Sequence, residues 1–202
     1  MGDVHAVVFD IGGVLLDWDP GLVYRKLIPE PERLEWFLAE ICNTDWNATL
    51  DAGRPFDEAC DELAARFPEH AELIHAWKRQ DEMIAGEIAG TADLVATLSD
   101  AGVPLYLLTN MPAGVFAARR ERYPVLGRFD GAVVSGEEGV LKPSADIFGR
   151  LRNRFGLVPA ETLFVDDVEA NVEGARAAGF LAYRFVSPPA LAAALRDHGL
   201  PV

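Results

Sequence analysis

The sequence predicts an α/β protein: an open parallel sheet of about five strands, with a helical segment inserted after the first strand. Three observations carry that reading. The runs Val4 to Phe9, Val103 to Leu108 and Thr162 to Val165 are almost continuously apolar and end in a polar residue, as strands buried on both faces do. From Val103 onward such runs alternate with helical patterns, which favours parallel pairing through right-handed crossovers. Between residues 18 and 90 that strand signal stops, and amphipathic helical spacing takes its place.

Taken in order, Val4 to Phe9 is the first strand and Asp10 ends it. The insertion carries helical patterns over Glu32 to Ile41, Phe56 to Phe67 and His70 to Ile84, no convincing strand, and all four tryptophans. It is expected to form a cap over the sheet edge, with Trp18, Trp36, Trp46 and Trp77 in its core. The chain thus divides into a core of residues 1-17 and 91-202 and a helical cap of 18-90. A helix over Thr91 to Ala101 is bounded by Thr91 as N-cap and Gly102 as terminator, and leads into the second strand, Val103 to Leu108. A helix over roughly Gly114 to Tyr123 and a weaker strand over Gly131 to Val134 follow. The remaining elements are a helix over Ser144 to Phe155, the strand Thr162 to Val165, a helix over Val168 to Ala178 that stops at Gly179, and a last strand over Phe180 to Phe185.

Composition narrows the function classes. Of 202 residues, half are hydrophobic, enough for a packed core; 18 Lys+Arg against 32 Asp+Glu leave a net charge of −14. A field of that sign repels nucleic-acid phosphates and anionic headgroups, so neither nucleic acid nor membrane is an expected partner. An anionic substrate then needs a local cluster or a bound cation to draw it in. Cys42 and Cys60 form no metal-type or disulfide pattern. The opening Met1-Gly2-Asp3-Val4-His5 has no basic region, and Ala6 fails the myristoylation pattern. No apolar run approaches the roughly 18 residues of a bilayer span. A reduced, cytoplasmic setting is the expectation.

In open α/β sheets the ligand crevice lies beyond the carboxyl ends of the strands. Here those ends carry Asp10, Thr109-Asn110 and Asp166-Asp167, with Lys142 in Leu141-Lys142-Pro143 ahead of a helix. Three converging carboxylates repel unless a cation lies among them, and oxygen-only donors favour Mg²⁺. Mg²⁺ and Lys142 would make one positive pocket on an acidic protein. Thr109 and Asn110 add donors for phosphoryl oxygens, and an exposed carboxylate there can serve as a nucleophile. The reaction class this suggests is phosphoryl transfer to water. Taken singly, each residue has an ordinary structural reading: Asp166-Asp167 as helix-capping acids, Asn110 as an N-cap, Lys142 as a solvated side chain.

Phe9-Asp10-x-Gly-Gly-Val, Leu108-Thr109-Asn110, Leu141-Lys142-Pro143 and Phe164-Val165-Asp166-Asp167-x-x-x-Asn171 together resemble the four motifs of the haloacid dehalogenase superfamily, in order and framing nearly the whole chain. The resemblance implies a Rossmann-like three-layer core with a small helical cap. It implies that Asp10 is the nucleophile, that Thr109 binds the phosphoryl group and that Lys142 steadies the charge. Asp10, Asp166 and Asp167 would hold Mg²⁺, with Asn171 in support. The subgroup resembled is that of phosphatases similar to glucose-1-phosphate phosphatase. A small phosphorylated, sugar-phosphate-like metabolite is then the expected substrate, acted on by a monomer or homodimer.

One departure from the pattern has chemical consequences. Superfamily phosphatases usually place a second Asp two residues after the nucleophile, as general acid and base, and here that position is Gly12. Its carbonyl can still ligate Mg²⁺, but the proton donor is missing, and general acid catalysis supplies about 10² to 10⁴ in rate, or roughly 2.7 to 5.4 kcal/mol of barrier. The enzyme is expected to favour substrates that leave easily, such as anomeric or acyl phosphates, with Asp17 or Asp19 as substitute donors. Trp46-Asn47 and Asp51-Ala52-Gly53-Arg54 resemble the cap's specificity loop, which makes Arg54 a candidate contact to a second anionic group.

Two alternatives stand beside the phosphatase. A 2-haloacid dehalogenase on the same fold needs no leaving-group acid, which suits Gly12, but has no use for Asp166-Asp167. A catalytically degenerate phosphate-binding protein would bind without turnover.

Overall fold

The structure is a computed structural model and describes residues 4–202; Met1–Asp3, on which part of the leader and lipidation expectation falls, lie outside it. Seven strands occur in chain order among the described residues. They are β1 (Ala6–Phe9), β2 (Leu16–Trp18), β3 (Ile84–Glu87), β4 (Leu105–Thr109), β5 (Gly131–Val134), β6 (Thr162–Asp166) and β7 (Leu181–Arg184). Five of them form one sheet in the order β5-β4-β1-β6-β7, with every pairing parallel. The chain builds outward on one side of β1 through β4 and β5, then crosses to the other side for β6 and β7. The order therefore reverses at β1, and the crevice opens where β1, β4 and β6 end.

Alternation along the strands makes three layers. Val7 and Phe9 of β1 join Leu105, Leu107, Leu163 and Val165 on one face, against Val95 and Leu98 of the helix Ala89–Asp100 and Leu191 and Leu195 of Pro188–Asp197. Val8 faces the other way with Leu108, Val133 and Phe164, against Ile147, Phe148 and Leu151 of Ala145–Phe155 and Ala175 of Glu169–Ala177. Ser144 caps its helix through the Asp146 N–H, and Gly102, Gly156 and Gly179 take positive φ just past helix ends. The expected cap at Thr91 is not formed: that helix begins at Ala89, and the buried Thr91 lies in its first turn.

The helical stretch between β2 and β3 has an apolar core of its own, built around Tyr24, Phe37, Leu50, Ile74 and Trp77. Trp46 and Trp18 meet Trp77 edge-on at 5.5 and 6.4 Å, whereas Trp36 is exposed. Two expectations for this stretch fail. It does contain a strand, β3, which pairs antiparallel with β2. His70 to Ile84 is not one helix but a 3-10 turn, the short helix Ala71–His75 and two further 3-10 turns ending at Met83. The cause is common to both. The Asp19 N–H donates to the Met83 carbonyl, so the chain has to extend into β3 beside β2 as it leaves the cap.

Candidate active site

Asp10 follows β1 directly, its N–H donating to the Val165 carbonyl of β6. Its Oδ1 accepts from the Ile11 N–H at 2.7 Å and meets Lys142 Nζ at 2.9 Å. Lys142 Nζ also donates to Asp166 Oδ2 at 2.6 Å, so one buried ammonium bridges the carboxylates at the ends of β1 and β6. Burial raises the Asp10 carboxyl to about 7, with Asp166 adding to the rise and Lys142 opposing it. Burial would lower the Lys142 ammonium, but the two carboxylates outweigh it and hold Lys142 above its ordinary range.

Asp166 is fully enclosed. Its oxygens accept from Asn171 Nδ2 at 3.0 and 3.1 Å and from the Val168 N–H at 2.9 Å, so Asn171 orients the acid from the next helix. Asp167 lies beside Gly13: a Cβ there would come within 2.5 Å of Asp167 Oδ2, and φ of +71° suits glycine. The second glycine of the first motif therefore makes room for the second acid of the last. Burial, with the Asp166 charge, raises Asp167.

Asp10, Asp166 and Asp167 each offer a carboxylate oxygen, all within 4.8 Å of one another. An all-oxygen set carrying this much like charge fits a hard divalent cation such as Mg²⁺.

A cavity of about 110 Å³ opens beside Asp10, the member of this cluster that lines it. Thr109, at the end of β4, and Gly12 line it, and a Cβ at Gly12 would meet nothing within 4 Å. Asn110 also reaches the cavity, but its amide braces the third motif: Nδ2 donates to the Lys142 carbonyl at 3.1 Å, and Oδ1 accepts from the Lys142 N–H at 2.9 Å. The ordinary reading of Asn110 as a helix cap does not apply; it lines the cavity and also braces the Lys142 backbone.

Other expected residues lie elsewhere. Arg54 does not line the cavity; it pairs with Glu62 and, at 3.4 Å, with Glu58 on the cap surface. Asp17 is exposed on β2, and Asp19 is bound to Arg25 at 2.5 Å and to the Gly21 N–H, so neither reaches the cavity.

Three residues not singled out individually do reach it. Arg119, from the helix Phe116–Arg122, is 5% exposed; its Nη2 donates to Gln80 Oε1 at 3.2 Å, and its Nε, without a hydrogen bond among the described residues, lies 4.0 Å from Asp81 Oδ1. Gln80 comes from the chain leaving the cap, and Asp51 from the end of the cap helix Thr44–Asp51. Arg119 sits in a run with Arg120 and Arg122 that reads as a solvated helix face, so no local signal sets it apart.

Comparison with known proteins agrees with this geometry. A family model described as haloacid dehalogenase-like hydrolase matches residues 4–179. The chain is 29% identical over 193 residues to a sesquiterpene phosphatase of Aspergillus oryzae, covering 95% of each chain. It is 27% identical over 205 residues to a phosphoglycolate phosphatase of Escherichia coli O157:H7, covering 88% of this chain and 79% of that one. In fold it resembles a Bacteroides thetaiotaomicron enzyme of the family solved with magnesium and inorganic phosphate, with a TM-score of 0.69, 20% identity and coverage of 91% and 95%. It also resembles the L-2-haloacid dehalogenase of Xanthobacter autotrophicus, with a TM-score of 0.68, 22% identity and coverage of 96% and 83%. With its α/β core, its ordered motifs and a family model matching most of its length, the chain belongs to the haloacid dehalogenase-like hydrolases.

Proposed function

We propose that this hydrolase is a phosphatase of small phosphorylated metabolites that works through a phosphoaspartyl intermediate on Asp10. The observation that carries the reading is the cluster of Asp10, Lys142, Asp166 and Asp167, with Asp10 opening onto the cavity. Asp10 Oδ1 is held by Ile11 and Lys142, while Oδ2 makes no hydrogen bond among the described residues and is the oxygen available for attack on phosphorus. The Lys142 ammonium, held by Asp166 while Asn110 braces the Lys142 backbone, faces the charge that develops as the bond forms. Thr109 offers its hydroxyl to a phosphoryl oxygen. Asp10, Asp166, Asp167 and the Gly12 carbonyl would hold a magnesium ion, which when bound neutralises the acidic cluster and the phosphoryl oxygens.

The roof suits a leaving group with a polar end and an apolar body: Arg119 and Gln80 stand among Leu16, Trp18, Ile84 and Met111. Sugar phosphates, phosphoglycolate and a short alkyl phosphate sample that range. The test is phosphate release from this panel with Mg²⁺ or with chelator, and with Asp10→Asn as control. Chelator-sensitive release that the substitution abolishes supports the proposal; no release from any member refutes it. A second reading, attack of Asp10 on carbon with expulsion of halide, is favoured by Gly12, which leaves no leaving-group acid beside the nucleophile. The crowding of Asp167 against Asp10 tells against it, and halide release from 2-chloropropionate would establish it.

A further inference from the structure

Position 12 supplies no proton donor, and no carboxylate other than Asp10 and Asp51 lines the cavity among the described residues. We propose that Asp51, presented by the cap, is the general acid and base of the reaction. The inference rests on the reading of Asp10 as nucleophile toward a phosphate monoester.

Three contacts place the Asp51 carboxyl. The indole N–H of Trp77 donates to Asn47 Oδ1 at 3.0 Å, and since an indole can only donate, this fixes which way the Asn47 amide faces. Asn47 Nδ2 is thereby turned to Asp51 Oδ2, to which it donates at 2.9 Å. Asp51 Oδ2 is then an acceptor, and Oδ1, which makes no hydrogen bond among the described residues, is the atom left to carry a proton. The helix end is anchored to the core as well: Ser135 Oγ, just after β5, donates to the Asp51 carbonyl at 2.6 Å. Gly53, with φ of +100°, packs so closely on the core that a Cβ would lie 2.6 Å from the Gly136 carbonyl oxygen.

The environment suits the role. Burial pushes the Asp51 carboxyl up to about 7, against the pull of Arg119 and Lys142 and of the Asn47 hydrogen bond. A carboxyl at that value can both give and take a proton near neutrality.

The steps balance as follows. Asp10 Oδ2 forms a bond to phosphorus while the bond to the leaving oxygen breaks. That oxygen takes the proton of Asp51, whose O–H electron pair stays on the carboxylate. After the alcohol departs, water attacks the phosphoaspartyl phosphorus and loses a proton to Asp51. The bond to Asp10 breaks, and inorganic phosphate, ionised Asp10 and protonated Asp51 are restored.

The experiment compares Asp51→Asn with wild type on 2,4-dinitrophenyl phosphate, whose leaving group needs no proton, and on an alkyl phosphate, whose leaving group does. Expected is a stoichiometric burst of dinitrophenol at close to the wild-type rate followed by slow turnover, with phosphorylation by the alkyl ester slowed by about 10²- to 10⁴-fold. Gly12→Asp in the Asp51→Asn background, which places a carboxylate in the open space at position 12, should restore alkyl-ester turnover. Equal fractional slowing of the phosphorylation step on both esters, or no rescue by the double variant, would overturn the proposal. If wild type releases no phosphate from either ester, or Asp10→Asn releases it unchanged, the phosphatase reading itself has failed and the proposal falls with it.

Discussion

The floor and the roof of the cavity are built on different principles. On the floor, Asp10, Lys142 and Asp166 form an unbroken chain of ion pairs, with Asn171 bonded to Asp166 and Asn110 to the Lys142 backbone. Each of these groups leaves a strand end or begins a helix of the sheet, so its position follows from the parallel register. In the roof, Asp51, Gln80 and Arg119 come from a cap helix, a 3-10 turn and a core helix, and no ion pair within 4 Å joins Asp51 to Arg119. The floor is tied together by Lys142 and leaves Asp10 Oδ2 open, while in the roof Arg119 Nε makes no hydrogen bond among the described residues and lies 4.0 Å from Asp81 Oδ1. An enzyme that handles a constant phosphoryl group and a variable leaving group needs this division.

The largest effect that would sharpen the contrast is expected from Lys142→Met. It leaves Asp10 and Asp166 buried without their shared cation, so about 3 to 5 kcal/mol of stability is lost, along with nearly all phosphate release. Thermal melts together with the phosphate assay measure both; a stable, active variant would break the picture of a floor tied together by Lys142. Two glycines then separate the regions. Gly53→Ala drives a Cβ into the Gly136 carbonyl and should cost about 1 to 3 kcal/mol, while changing substrate preference as the cap shifts. Gly13→Ala meets only the end of the Asp167 side chain, so about 1 to 2 kcal/mol is expected, with weakened Mg²⁺ binding in titration calorimetry and an unaltered order of preferred substrates. If both variants alter substrate preference alike, floor and roof are not separable.

A pH dependence of stability is a further expected effect. Asp51 has a folded value of about 7 against an ordinary 3.8, so the folded protein binds the proton more tightly than the unfolded chain does. Its contribution is fully present below about 4, is lost as pH rises toward 7 and is constant above that. Melts of wild type and Asp51→Asn across this window should therefore diverge in favour of the variant as pH rises. Parallel curves would show that Asp51 ionises freely.

Most of the floor was legible in the chain because it is encoded locally. A buried strand that ends in Asp, a Gly-Gly turn after it and a paired acid before a helix each occupy a few consecutive residues. Even there, the bracing of Lys142 by Asn110 depended on two segments 32 residues apart meeting. The roof was less legible. Arg54 and Asp51 lie three residues apart in one polar stretch, yet Arg54 turns to Glu58 and Glu62 on the surface while Asp51 turns inward. Strand β3 was missed for the same reason: Ile84-Ala85-Gly86-Glu87 has no strand pattern of its own and is extended because β2 lies beside it.

By itself, the sequence determined the parallel α/β layout, the order of the motifs and the carboxylates at the strand ends, since apolar periodicity and strand termination act over short spans of chain. Only the tertiary structure decided which acid and which arginine overhang Asp10. The acid is presented by the docking of Ser135 and Gly136 against Asp51 and Gly53, a contact between residues more than eighty positions apart, and the arginine is held by Gln80, 39 residues before it, so both depend on distant segments meeting.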